Sequence, residues 1–363
     1  MNRVLWIAPN LNHYKARFLN RLAQDGRLDL TVLAGGKMGQ IGHRPDQGRS
    51  IFAKVEVKAT KNNFHVRRET YTAIWKLLRE TRFHTVLMPI EKKHLPLILF
   101  VFVLKFWFGF KLVSYNHPTT RTGSWNPAFD RIMTGFFFKL YDRIIFYTRE
   151  GRDLAVDSGL LPSVKAFYAN NTLDTAEIWA NYSFEVNRSD PKVLLFIGRL
   201  IKNKRLGLLL KYFEELKSHL PGIRLIVIGD GPEAEIIKAA AEKDEAVTWL
   251  GAVVDEARIA SVMRQVNAVF VPGWSGLSIV HAFCYGKPYI TIKGPHPPEI
   301  DYLKDGRNGL ILDGDLSRDA RRIAELLTDK EKYEQVCRAA FQKAQELSVE
   351  NWCARMKAAL ADT

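Results

Sequence analysis

The residues best placed to do chemistry lie in three clusters, each at the end of a short apolar run. Val269 to Pro288 reads as strand, loop, helix and turn: the apolar Ala268–Val271 breaks at Pro272-Gly273, and the loop carries Gly276. Leu277, Val280, Ala282 and Phe283 then mark a helix that stops at Gly286-Lys287-Pro288, before a second strand-like run from Tyr289 to Ile292. The first turn of such a helix presents unpaired N–H groups and partial positive charge, which suit phosphate. Upstream, the apolar Lys192–Ile197 ends in Gly198-Arg199-Leu200, with Lys204 five residues beyond the arginine. Between these two, Arg224–Ile228 is closed by Gly229-Asp230-Gly231-Pro232 and followed by a helical pattern. All three clusters need strands that deliver loops to one end of a sheet.

In order and spacing these motifs resemble the donor-nucleotide half of GT-B glycosyltransferases, specifically the retaining enzymes of glycosyltransferase family 4. Trp249-Leu250-Gly251, Pro298-Glu299-Ile300 and Asp305-Gly306-Arg307-Asn308-Gly309-Leu310 extend the resemblance, and Asn171-Thr172-Leu173-Asp174 is similar to the family's interdomain Asn-Gly-x-Asp. The resemblance implies two Rossmann-like α/β domains facing across a cleft, with a C-terminal helix crossing back to the first. It implies that Arg199 and Lys204 hold the donor pyrophosphate, and that His117, after a strand of the first domain, faces the donor sugar. Gly198, Gly229, Gly231, Pro232, Gly273, Ser275, Gly276, Leu277, Ser278, His281 and Glu299 are the implied donor-binding positions. Asn10, His13, Tyr14 and Arg17, in the first strand-to-helix segment, are candidates for the acceptor.

The chain departs from the family where it usually has two glutamates eight positions apart. Aligned on Gly286-Lys287-Pro288, those positions are Gly273 and His281. A neutral histidine ring can still hydrogen-bond a ribose hydroxyl, whereas only backbone N–H groups at 273–276 could serve in place of the first carboxylate. The implied chemistry is sugar transfer from a nucleotide-diphosphate donor to a glycan or lipid-linked acceptor in cell-surface polysaccharide assembly. It proceeds with retention and without cofactor or metal, because positioned cations and amide dipoles stabilise the departing phosphate. A GT-B nucleotide-sugar epimerase and a non-catalytic nucleotide-sugar-binding subunit are the alternatives. Asp313-Gly314-Asp315, superficially a metal-binding pattern, reads as a turn.

At 363 residues the chain has room for two cores, and strands alternate with helical patterns as in parallel α/β sheets. Strands are expected at Arg3–Ala8, Leu28–Leu33, Thr85–Pro89, Lys111–Tyr115 and Arg143–Tyr147, with a helix over Asn12–Ala23. The expected domains are 1–170 with a C-terminal helix within 347–363, a linker at 171–190, and 191–346. Cys284, Cys337 and Cys353 lack metal-ligand spacing and read as thiols of a reducing compartment. No secretory leader pattern opens the sequence, so a cytoplasmic location is expected.

Charge is unevenly shared. Residues 1–180 hold 27 Lys+Arg against 14 Asp+Glu, a net of +13, while the remainder holds 26 against 25. The basic half suits an anionic membrane surface, and no helix-turn-helix, zinc-finger or aromatic RNA-binding signature supports nucleic acid. The apolar run Leu95–Leu104 is too short to span a bilayer. It predicts a helix between two strands of the first sheet, yet Phe100, Phe102, Phe106, Trp107, Phe108 and Phe110 exceed what one buried face needs. Peripheral attachment to the inner face of the plasma membrane, not insertion, is the expectation.

Overall fold

A computed structural model describes residues 2–361 except 10, 12, 25, 27, 37–39, 42–43, 46–49, 61 and 117–126. Its contacts separate two units, Met1–Asp174 with Val349–Thr363, and Thr175–Ser348. Residues 175–190, expected as linker, are counted in the second unit.

The first unit runs β1 (Asn2–Ala8), α1 (His13–Ala23), β2 (Leu28–Gly36), the small hairpin β3 (Gln40–Ile41) and β4 (Arg44–Pro45), then β5 (Ala53–Lys58) and α2 (Arg68–Glu80). It continues β6 (Thr85–Leu87), α3 (Leu95–Phe108), β7 (Lys111–Asn116), α4 (Pro127–Leu140), β8 (Arg143–Phe146), α5 (Arg149–Asp157) and β9 (Ala166–Tyr168). Seven of these strands form one parallel sheet in the order β5-β2-β1-β6-β7-β8-β9. The central strands are nearly continuous apolar runs because helices cover both faces of a parallel sheet. β5 and β9 escaped the sequence reading for a physical reason: both are sheet edges. β5 alternates charged with apolar residues and carries the Lys54–Glu56 ion pair (2.6 Å), and β9 is only three residues long.

The second unit runs α6 (Thr175–Asn181), β10 (Val193–Ile197), α7 (Leu206–His219), β11 (Arg224–Ile228), α8 (Ala234–Lys243), β12 (Val247–Trp249) and α9 (Glu256–Gln265). β13 (Ala268–Phe270), α10 (Ser278–Cys284), β14 (Tyr289–Ile292), β15 (Gly309–Leu312), α11 (Leu316–Thr328) and α12 (Lys330–Glu346) complete it. Its parallel sheet has the order β12-β11-β10-β13-β14-β15, so the direction of strand addition reverses between β10 and β13. The loops leaving the carboxyl ends of those two strands meet at this switch point, the ordinary ligand position in a doubly wound sheet. Asp315 caps α11 by accepting from the Arg318 N–H (3.0 Å), so Asp313-Gly314-Asp315 is the turn expected.

The last helix, α13 (Val349–Leu360), belongs to the first unit. Trp352, 1% exposed, packs edge-on against Phe18 of α1, with ring centroids 4.6 Å apart. Its indole N–H donates to the Tyr115 hydroxyl (3.0 Å), which in turn donates to the Asn170 carbonyl (2.5 Å). The three cysteines are buried free thiols. Burial pushes Cys337 up to about 11 and Cys353 up to about 12.

Candidate donor site in the second unit

At this end of the sheet the loops are built by close approach of backbone. A Cβ on Gly229 would lie 1.9 Å from the Gly198 carbonyl oxygen, and one on Gly231 would lie 2.4 Å from that of Leu200. The loops after β10 and β11 are zipped by Leu200 N–H to Asp230 O and Glu233 N–H to Leu200 O, both 3.0 Å. The Trp249 indole N–H holds the Gly229 carbonyl (2.9 Å). Pro232 is exposed beyond this zip.

Two cations stand on these loops in different ways. Arg199 is exposed, and its side chain has no hydrogen bond or ion pair among the described residues. Lys204 is 9% exposed, and its ammonium donates to the Trp274 carbonyl (2.8 Å) in the loop after β13. That bond spans the reversal point of the sheet. Loss of solvent holds the Lys204 ammonium down at about 8, since burial disfavours the charged form. Trp274, exposed, has φ 29, a left-handed backbone strained for a bulky residue. The lysine tie helps to hold that conformation.

Gly273 has no room for a side chain. A Cβ there would lie 2.2 Å from the Asn203 carbonyl oxygen and 3.1 Å from the Arg205 Cγ. The loop after β10 therefore fills the space in which a side chain at 273 would start. Arg205 itself extends past Gly273 toward Gly294, where its Nη2 would lie 3.9 Å from an added Cβ.

Ser275 differs from its expected role. Its hydroxyl is buried, hydrogen-bonded to the Thr291 hydroxyl (2.9 Å) and the Val271 carbonyl (3.4 Å), and its N–H donates to His296 Nδ1 (3.0 Å). It shapes the loop, and neither group is left for a ligand. His296 Nε2–H donates to the Ile292 carbonyl (2.7 Å), which sets the neutral tautomer. Burial, with Arg205 and Lys204 nearby, lowers the His296 pKa against the opposing bond to Ile292.

Gly276 and Leu277 lead into α10, which begins at Ser278, and the Ser278 hydroxyl bonds the Tyr289 hydroxyl (2.7 Å). Glu299, 4% exposed, brings its carboxylate toward Gly276, with Oε2 3.9 Å from an ideal Cβ there. His281 Nε2 pairs with Glu256 Oε1 (2.8 Å), and the Tyr285 hydroxyl donates to the same oxygen. A carboxylate is thus present beside 281, supplied from the first turn of α9. Because that carboxylate is an acceptor, the ring directs its Nε2–H to Glu256.

Sequence reasoning missed Arg205, Glu256 and His296. Arg205 adjoins Lys204 and His296 lies three residues before Glu299, so proximity to named motifs was the available signal. Nothing in the sequence connects Glu256 to His281 across 25 positions.

In the first unit, Asn10 and His117 lie outside the described residues, as do the side chains of His13 and Tyr14; α1 begins at His13. Arg17 is half-buried on α1. Among the described residues no cluster of three or more His, Cys, Asp and Glu is arranged to hold a metal ion.

Fold and site together define two Rossmann-like α/β units of GT-B type. The glycosyl transferases group 1 family matches residues 179–343, which lie within the second unit. The chain is 26% identical over 180 residues to the alpha-monoglucosyldiacylglycerol synthase of Acholeplasma laidlawii, covering 48% of this chain and 44% of that protein. It is 28% identical over 178 residues to the GDP-mannose-dependent alpha-mannosyltransferase of Corynebacterium glutamicum, covering 47% and 40%. These matches thus span less than half the length of either relative. The structure of sucrose-phosphate synthase from Thermosynechococcus elongatus superposes with a TM-score of 0.70 at 14% identity, over 99% of this chain and 98% of that one.

Proposed function

We propose that this protein transfers a sugar from a nucleoside-diphosphate donor to a glycan or lipid-linked acceptor in cell-surface polysaccharide biosynthesis. Transfer proceeds with retention and without a metal, on the cytoplasmic side of the plasma membrane. The carrying observation is the pair of cations at the reversal point of the second sheet, Lys204 tied to the Trp274 carbonyl and Arg199 open to solvent.

As the glycosidic bond breaks, negative charge builds on the leaving phosphate. Arg199 can meet that charge with a bidentate guanidinium. Lys204, already desolvated, interacts with it more strongly than a hydrated lysine would. The N–H groups of Gly276, Leu277 and Ser278 add donors at the start of α10. His281, oriented by Glu256, accepts from the ribose, and Glu299 lies on the sugar side of the loop. His117 of the first unit is assigned to the donor sugar, and Asn10, His13, Tyr14 and Arg17 to the acceptor. The relative named alpha-monoglucosyldiacylglycerol synthase supports an acceptor of lipid character.

Thermal-shift measurements with a panel of nucleoside diphosphates and nucleotide sugars test the donor site without a known acceptor. A ligand at about 100 times its Kd stabilises the native state by about 2.7 kcal/mol. One base should raise the melting temperature of the wild type and leave Arg199→Ala unmoved. If no nucleotide shifts the wild type, the donor reading fails.

A further inference from the structure

The first unit exposes an apolar stripe that its own core does not use. α3 is apolar all round: Leu97, Ile98, Val101 and Leu104 are buried against the sheet, while Leu99, Val103, Phe106 and Trp107 face outward. Phe106 is 73% exposed and Trp107 75%. A helix with two apolar faces and only one covered leaves a second face without a partner.

The neighbouring helices extend this face. α2 meets α3 through Trp75, whose ring centroid lies 6.2 Å from that of Trp107. Helical spacing places Trp75 on one stripe with Arg68, Thr72 and Arg79, all exposed. α4 carries Ile132, 70% exposed, and Phe136, 41% exposed, on a stripe with the exposed Lys139. α2, α3 and α4 share one buried core, so all three lie on the same face of the sheet. The acids of this region lie off these stripes or are paired: Lys76 lies 3.9 Å from Glu80, Lys92 pairs with Asp130, and Lys105 with Asp142 at 2.6 Å. Glu69 is the exposed acid that remains on α2.

Aromatic side chains bordered by exposed Arg and Lys are the pattern of a surface that lies in the headgroup region of an anionic bilayer. Among the described residues no helix is long and apolar enough to cross a membrane, and α3, at 14 residues, extends only about 21 Å. We propose that the α2–α3–α4 face docks the protein onto anionic phospholipid. Trp75, Val103, Phe106, Trp107 and Phe136 enter the interface, while Arg68, Arg79 and Lys139 meet lipid phosphates. This deepens the proposed function by naming the surface on which its acceptor would be met, and in that respect rests on it.

Co-sedimentation of the full chain with vesicles of phosphatidylcholine, alone or mixed with phosphatidylglycerol, tests the proposal. Binding should need phosphatidylglycerol and weaken as salt rises. Phe106→Ser with Trp107→Ser should reduce partitioning about tenfold or more with an unchanged melting temperature, since both side chains are solvent-facing. Arg68→Glu with Lys139→Glu should remove the preference for anionic vesicles. Equal partitioning of all variants, or no partitioning of the wild type, overturns the proposal. So does a dimer in light scattering that the Phe106→Ser, Trp107→Ser variant dissolves, because the face would then cover a second copy. Arg199→Ala should bind vesicles as the wild type does, which separates failure of the docking surface from failure of the donor site.

Discussion

Lys204 shows how one residue can serve a ligand at the expense of the empty protein. Its ammonium is held at about 8 by desolvation, against 10.5 when solvated. The folded-state pKa is depressed, so the unfolded chain binds the proton more tightly between those values, and stability rises with pH across that window. Below about pH 8 the buried charge costs on the order of 3 kcal/mol. Lys204→Met should therefore melt at or above the wild-type temperature at pH 7, with the difference shrinking toward pH 10, while losing the nucleotide-induced shift. Lys287, also held down at about 8 by burial, is common to both proteins and cancels in the comparison. Binding of a diphosphate should draw a proton onto Lys204, so calorimetry near pH 8 in buffers of different ionisation enthalpy should show net proton uptake. No uptake would mean that the anion does not reach this ammonium. Gly273 makes a second residue-scale prediction. Gly273→Glu should destabilise by about 1–3 kcal/mol and abolish nucleotide binding, because an added Cβ would lie 2.2 Å from the Asn203 carbonyl oxygen. A variant that binds donor better would show that the loop after β10 yields easily.

At the scale of elements, the loop between β13 and α10 is held by a ring from the next loop. His296 accepts the Ser275 N–H at Nδ1 (3.0 Å) only while that nitrogen is unprotonated. Its pKa is lowered in the fold from 6.5, so the unfolded state takes up the proton first and stability falls as pH drops below about 6.5. Nucleotide affinity should fall only at lower pH still, where the folded-state His296 takes its proton and the loop that carries Gly276 loosens. His296→Gln, whose side-chain oxygen can accept the same N–H without titrating, should flatten both pH profiles; an unchanged acid dependence would assign it to other groups. Helix α10 is too short to be stable alone. It stands because Ile279, Val280, Ala282 and Phe283 are fully buried beneath it.

For the whole molecule, the telling feature is that the chain returns to its first unit at the end. Trp352 fills a core position against Phe18 and completes a hydrogen-bond chain through Tyr115 to Asn170. Arg143 adds bonds to the Ala359 (2.8 Å) and Ala361 (2.7 Å) carbonyls at the end of α13. Trp352→Ala should cost about 3–5 kcal/mol, concentrated in the first unit. Hydrogen exchange should accelerate in β1, α1 and β7 and stay unchanged in β10, β11 and β13. Uniform acceleration would mean that the two units unfold as one.

The amino-acid order by itself determined the alternation of strand and helix, the central strands of both sheets, and the loops that carry Gly198, Gly229 and Gly276. Those features are local: an apolar run, a glycine and a helix start are readable within a dozen residues. Edge strands β5 and β9 were not legible, because β5 alternates charged with apolar residues and β9 is only three residues long. Arg199 and Lys204 could be named from the family resemblance of their motif, but the tie from Lys204 to Trp274 bridges 70 positions and needed the sheet reversal to exist. The same holds for Glu256 beside His281, for His296 beneath Ser275, and for the Asn203 carbonyl against Gly273. Each depends on loops from different strands meeting at one end of a sheet. The packing of backbone against backbone there decided which side chains remained for a ligand and which were spent on holding the loops.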